Sequence, residues 1–154
     1  GEGSKIATRP TERVDLTALV ASAVGRRAPD APAATVAMPS GSHVVEGDRE
    51  QLELAAAAIV QFADELAALG AHSHLELDTP EGARRLRLVA RGQALASWQL
   101  PNTFEPFYPQ RVLRGKSHGL GLFLAQTVVL GHKGQATVRR QRDGSLQFDF
   151  ALPA

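Results

Sequence analysis

The chain contains no cysteine. That removes disulfides, thiolate metal sites and a cysteine nucleophile together, and it suits a reducing compartment. Excess charge of either sign is also missing. Seventeen Lys and Arg stand against 16 Asp and Glu, a formal +1 over 154 residues, so no overall field recruits nucleic acid or an anionic membrane. The longest apolar stretch, residues 52–60 with Glu53 inside it, falls well short of the ~20 residues that span a bilayer, and no leader-like pattern opens the chain. These absences lead to an expectation of a soluble, cytoplasmic domain without direct membrane contact, whatever anchors its parent protein. Enzyme signatures are sparse as well. There is no G-x-S-x-G elbow for a serine hydrolase and no glycine-flanked carboxylate pair for a glycosidase. His72 and His74 share one face of a strand, but no third ligand accompanies them, and no metal site is expected.

What is present is the material of one globular domain: 16.4 kDa with 44% hydrophobic residues, enough to bury a substantial core. The opening Gly1-Glu2-Gly3-Ser4 lacks apolar periodicity, and residues 1–12 read as a linker ahead of a domain at 13–154. Leu16, Leu19, Val20 and Ala23 share a helical face behind Asp15, a residue suited to N-capping. Short strands are expected at 33–38 and 44–45, forming a hairpin about Pro39-Ser40-Gly41-Ser42. Gly47-Asp48 opens the most clearly marked helix, from Arg49 to about Leu69. It is rich in Ala and Leu and closed by Gly70. Residues 74–78 and 85–90 form a strand pair about Thr79-Pro80-Glu81-Gly82. From Arg91 to His118 there is no sustained periodicity, a stretch longer than the ~12–15 residues a compact domain leaves unstructured, and such connections tend to be lids. Residues 119–130 resume helical spacing, and 135–140 with 146–152 close the chain as a strand pair about Asp143-Gly144.

This order predicts an α/β two-layer sandwich, a mostly antiparallel mixed sheet with helices on one face. The residues are more specific. Phe104-Glu105-Pro106-Phe107-Tyr108, then Gly119-Leu120-Gly121-Leu122-Phe123-Leu124-Ala125, then His132-Lys133-Gly134-Gln135 resembles the F-box and second glycine box of bacterial sensor histidine-kinase catalytic domains. Val14-Asp15-Leu16 and the placing of Gly47-Asp48 and Leu52 fit the same family, and the resemblance runs from about residue 14 to Pro153. It implies a Bergerat-type ATP-binding fold and a lid at about 96–118. It also implies a nucleotide site drawing on Gly92, Lys116, Ser117, His118, Gly119, Leu120, Gly121 and Leu122.

Binding ATP with Mg²⁺ requires backbone N–H groups at a helix start, oxygen ligands for the metal and an acceptor for the adenine amino group. Gly119 and Gly121 fit the first need, although glycines there also serve close helix–sheet packing. The family's N-box asparagines fall at Ala58 and Phe62, and its basic residue near Glu65. Neither alanine nor phenylalanine ligates Mg²⁺. Asp64-Glu65 would repel phosphate if they faced it, and Gln61 or Asp64 would have to turn about 100° to replace the missing oxygen. The first glycine box is reduced to Ala90-Arg91-Gly92-Gln93-Ala94, with alanine in place of the adenine-binding aspartate. Arg111, Arg114, Lys116 and His118 make the lid basic, suited to phosphate, to an acidic partner or simply to water. Trp98 stands where the lid begins, placed to plug the adenine pocket or pack under the lid. Arg139-Arg140-Gln141-Arg142 reads as an exposed hairpin tip.

The resemblance implies partners: the dimerisation helices that carry the phospho-accepting histidine, and a response regulator. No histidine here lies in such an acceptor sequence, so no autophosphorylation is expected of the chain alone. The expectation is a domain that keeps the kinase fold, does not use ATP and signals through protein contacts, with no confident catalytic residue and no cofactor. The alternative is an altered ATP/Mg²⁺ site that phosphorylates a histidine elsewhere.

Overall fold

The computed structural model describes residues 11–96 and 120–154. Strand β1 (Glu12–Asp15) leads into helix α1 (Leu16–Gly25), followed by β2 (Thr35–Ala37), β3 (Val44–Gly47) and the long helix α2 (Arg49–Ala68). Strands β4 (His72–Asp78) and β5 (Ala83–Arg91) come next, with a 3₁₀ turn at Gln93–Leu95. Helix α3 (Leu120–Gly131) and strands β6 (Gln135–Arg140) and β7 (Leu146–Pro153) complete the described fold. The main sheet has the order β2-β4-β5-β7-β6, in which β2 runs parallel to β4 and the other pairs are antiparallel. A separate two-stranded sheet pairs β1 with β3.

The expected sandwich is therefore present, with one correction and one addition. Residues 33–45 do not form a hairpin: β2 joins β4 at the edge of the main sheet, while β3 crosses to β1. The reason lies in a carboxylate whose partners are distant in sequence. Asp15 Oδ1 accepts from the backbone N–H of Thr17 (3.0 Å), capping α1, and from that of His43 (2.9 Å), which draws the chain entering β3 toward β1. Strand β1 itself was not foreseen, because Glu12, Arg13, Val14 and Asp15 offer only one buried apolar side chain, Val14.

Helix α2 supplies the centre of the core. Asp48 caps its start, accepting from Gln51 N–H at 3.2 Å, and Gly70, at φ +90, turns the chain out of its end in the left-handed conformation that glycine tolerates. Leu52, Ala55, Ala56, Ile59, Val60, Phe62, Ala63 and Leu66 form its buried stripe. From the sheet, Leu75, Leu77, Leu86, Leu88, Ala90, Phe148 and Phe150 meet it. Helix α3 adds Leu122, Ala125, Val128 and Val129. The alternation that buries these strand residues turns His74, Glu76, Asp78, Arg85, Arg87 and Asp149 to the other face. There Arg85 pairs with Asp78 and Arg87 with Asp149. Helices thus cover one face, and a charge-laced surface forms the other.

Candidate nucleotide site

The candidate site is built where the start of α3 meets the middle of α2. A Cβ added to Gly121 would lie 3.9 Å from Ala58 Cβ, so the two helices approach closely at this level. Ala58 is half-buried beside that approach, and Phe62, one turn further along α2, is 3% exposed. Its ring meets that of Phe148 edge to face, with centroids 5.3 Å apart and planes at 81°. The two positions that the sequence comparison assigned to oxygen-bearing residues therefore present a methyl group and a core phenyl ring.

At the end of β5, Ala90 is fully buried between Ser73 of β4 and Leu146 of β7. An alanine there cannot accept a hydrogen bond from a base. Gly92 follows, and a Cβ on it would stand 3.1 Å from the Cα of Ala71. A side chain there would make Ala71 give by a few tenths of an ångström, so glycine suits the passage of the β5 end past the chain leaving α2, whatever ligand lies nearby. Ala94 is exposed and Leu95 is fully buried.

Neither Gln61 nor Asp64 replaces the missing oxygen. Asp64 faces α1: its carboxylate takes the Nε and Nη2 of Arg27, both at 2.9 Å, and the backbone N–H of Ala34 at 2.8 Å. Gln61 and Glu65 line the same groove as Asp64, between α1 and α2, together with Arg26 and Pro32. Asp64, held by Arg27 and Ala34, is thus turned toward α1.

Of the remaining expected site residues, Leu120 opens α3 and Leu122 is a core side chain, 1% exposed. Lys116, Ser117, His118 and Gly119 lie outside the described residues, as do Trp98, Phe104 to Tyr108, Arg111 and Arg114. His72 and His74 lie on the outer sheet face, where His74 contacts Thr35 and Glu76. Among the described residues no group of three His, Cys, Asp or Glu could hold a metal ion.

One contact at the far end of the helix pair had no role assigned from sequence. His132, just beyond α3, accepts the backbone N–H of Asp48 at Nε2 (3.1 Å) and donates from Nδ1 to Val128 O (2.8 Å). This pattern assigns a neutral ring with its proton on Nδ1. A Cβ on Gly47 would overlap the ring. Gly47 and His132 are therefore one structural unit, joining the start of α2 to the end of α3. The spacing of glycine and histidine 85 residues apart carries no signal of this in a single sequence.

The carboxyls whose titration is displaced serve the scaffold. Backbone N–H donation from His43 holds Asp15 below the usual carboxylate range, outweighing its partial burial. Arg85 does the same for Asp78 through a direct hydrogen bond, and the Ser145 hydroxyl for Asp143 in the β6–β7 turn. None of the three lines the candidate site.

Comparison with known proteins accords with this geometry. Residues 47–154 match the family described as histidine kinase-, DNA gyrase B- and HSP90-like ATPases. The sensor histidine kinase CusS of Escherichia coli (strain K12) is 35% identical over 66 residues, covering 41% of this chain and 14% of that protein. Among solved structures, the mycobacterial sensor histidine kinase MprB superposes with a TM-score of 0.73 at 21% identity, over 92% of this chain and 96% of that one. The ATP-binding domain of PrrB from Mycobacterium tuberculosis gives 0.67 at 22%, over 95% and 98%. With its fold shared by histidine-kinase catalytic domains and most of its length matched, the chain belongs to the histidine kinase-, DNA gyrase B- and HSP90-like ATPase family.

Proposed function

We propose that this chain is the ATP-binding module of a two-component sensor kinase whose nucleotide site has degenerated, so that it transmits signal through protein contacts rather than by using ATP. The observation that carries this reading is Phe62. Where the resemblance calls for an oxygen ligand to Mg²⁺, a phenyl ring is buried against Phe148, and a divalent cation gains nothing from an apolar ring. Ala90 supports it independently, since a fully buried methyl group cannot distinguish adenine from another base. On this reading the domain spans 13–154 with a lid at about 96–118. Its partners are the dimerisation helices of its parent protein and a response regulator. It works on the cytoplasmic side, and among the described residues no helix is long and apolar enough to cross a membrane.

The second reading, an altered but working site, is favoured by Gly121. Its small size lets the start of α3 approach Ala58 closely, and the N–H groups of a helix start attract anions. A thermal-shift and calorimetric titration with ATP and Mg²⁺ separates the two. The degenerate site predicts no shift at millimolar nucleotide. Submillimolar Mg²⁺-dependent binding would establish the second reading and remove the first, because ligand at ~100 times Kd stabilises a fold by about 2.7 kcal/mol.

A further inference from the structure

At the end of the molecule away from Gly121, the helices stop short of the sheet. Helix α2 starts at Arg49 and α3 finishes at Gly131, while β5 extends beyond them. Its helix-facing side chains, read outward, are Ala90, Leu88, Leu86 and then Arg84. The first three are buried in the core. Arg84 instead reaches into a cleft of about 840 Å³ between the β1–β3 pair and the end of β7. Val44, Val45 and Leu152 give that cleft an apolar lining, and Arg13 and Lys133 add positive charge. Two carboxylate side chains also line it, beside the last residue, Ala154. Asp48 is committed to capping α2, and Glu46 lies opposite Arg13 in the β1–β3 register, which offsets its charge. Arg84 and Lys133 are the cationic side chains of the cleft beyond the Arg13–Glu46 pair.

The Nε of Arg84 is buried and has no hydrogen-bond partner among the described residues. Three other arginines show how this chain uses that atom. Arg27, Arg85 and Arg87 each present Nε together with Nη2 side-on to the two oxygens of one carboxylate, on Asp64, Asp78 and Asp149 respectively. A buried guanidinium N–H left without an acceptor is destabilising, and the planar fork of arginine matches a carboxylate in shape and charge. We infer that the cleft is a binding site for a small organic carboxylate, gripped side-on by Arg84, with its apolar body against Val44, Val45 and Leu152 and with Lys133 supplying the second charge. This site is separate from the candidate nucleotide site and does not depend on whether ATP binds there.

The test is an NMR titration of the full chain with glutarate, following the arginine Nε–H signals and the backbone amides of Val45, Lys133 and Leu152. The expected result is a saturable shift of the Arg84 Nε–H and of those three amides. Arg84→Gln should weaken binding about tenfold or more, the loss of a charge-assisted pair, and leave amides around Gly121 in place. An equal response to sodium chloride at matched ionic strength, or an unchanged affinity in Arg84→Gln, would overturn the inference. So would movement of the Arg84 Nε–H in Glu2→Gln without added ligand, since a carboxylate of the chain itself would then be its occupant. Should Arg84→Gln fail to fold, Lys133→Gln provides the same comparison from the rim, and unaltered glutarate affinity in that variant counts against the site.

Discussion

The ring of Phe62 stands edge-on to that of Phe148 at a centroid distance of 5.3 Å, joining the middle of α2 to β7. This is a core contact placed where the family resemblance calls for a metal ligand. Phe62→Ala is expected to cost about 3–5 kcal/mol of stability, the usual range for emptying a buried phenyl site, measured by urea denaturation. Phe62→Asn should destabilise comparably, because a buried amide lacking partners adds a desolvation cost to the cavity. On the proposed function it does not restore Mg²⁺-dependent ATP binding alone. Combined with Ala90→Asp it supplies two of the missing polar groups, one for the metal and one for adenine, and detectable binding in the double variant would show that the pocket is otherwise intact.

Asp64 has a structural task that its position beside Phe62 conceals. It holds both Arg27 and the backbone N–H of Ala34, pinning the connection between α1 and β2 onto α2. Asp64→Ala leaves a half-buried guanidinium and an amide without their acceptor, and should cost about 1–3 kcal/mol. Hydrogen exchange should show the loss of protection centred on residues 27–36. Loss confined to the surroundings of Gly121 would contradict the assignment.

These two neighbours show what a single sequence reveals and what it does not. The period of α2 was legible because its apolar residues recur at helical spacing between a capping Asp48 and Gly70, and β4 to β7 were legible by alternation and turn residues. Phe62 and Ala90 were legible as departures from a family pattern. The direction in which Asp64 points was not, since its partners lie 37 and 30 residues away. Strand β1 was missed, and the pairing of β2 and β3 misread, for the same reason. Each is four residues or fewer, and their pairing is fixed by Asp15 reaching His43 and by β2 joining β4, neither of which leaves a local mark. The neutral ring of His132 and the buried Nε of Arg84 were likewise invisible, because both depend on where the helices end relative to the sheet.

Acid should loosen the fold through Asp15 and Asp78. Both carboxyls titrate below their ordinary value in the folded chain, so the unfolded chain takes up protons first as pH falls. Their contribution is complete above the unfolded value of about 3.9 and is lost as pH drops through the folded values. Through these two groups the urea midpoint should therefore fall as pH drops below about 4. Asp15→Asn should flatten part of that fall. An acid limb of unchanged slope in both Asp15→Asn and Asp78→Asn would show that other groups drive the transition.

Gly47 and His132 should prove energetically coupled. His132→Ala removes the acceptor of the Asp48 N–H, at a cost of about 1–3 kcal/mol for a half-buried donor left unpaired. Gly47→Ala places a methyl group where the imidazole lies, with Leu52 Cδ1 2.9 Å from the same point, and should be destabilising by about 1–3 kcal/mol through overpacking. In the double variant the vacated ring volume receives the new methyl group, so the two costs should not add. A coupling of at least about 0.5 kcal/mol is expected in a double-mutant cycle. Strict additivity would mean that the ring does not occupy the space above Gly47, and that the start of α2 is held to the end of α3 by some other contact.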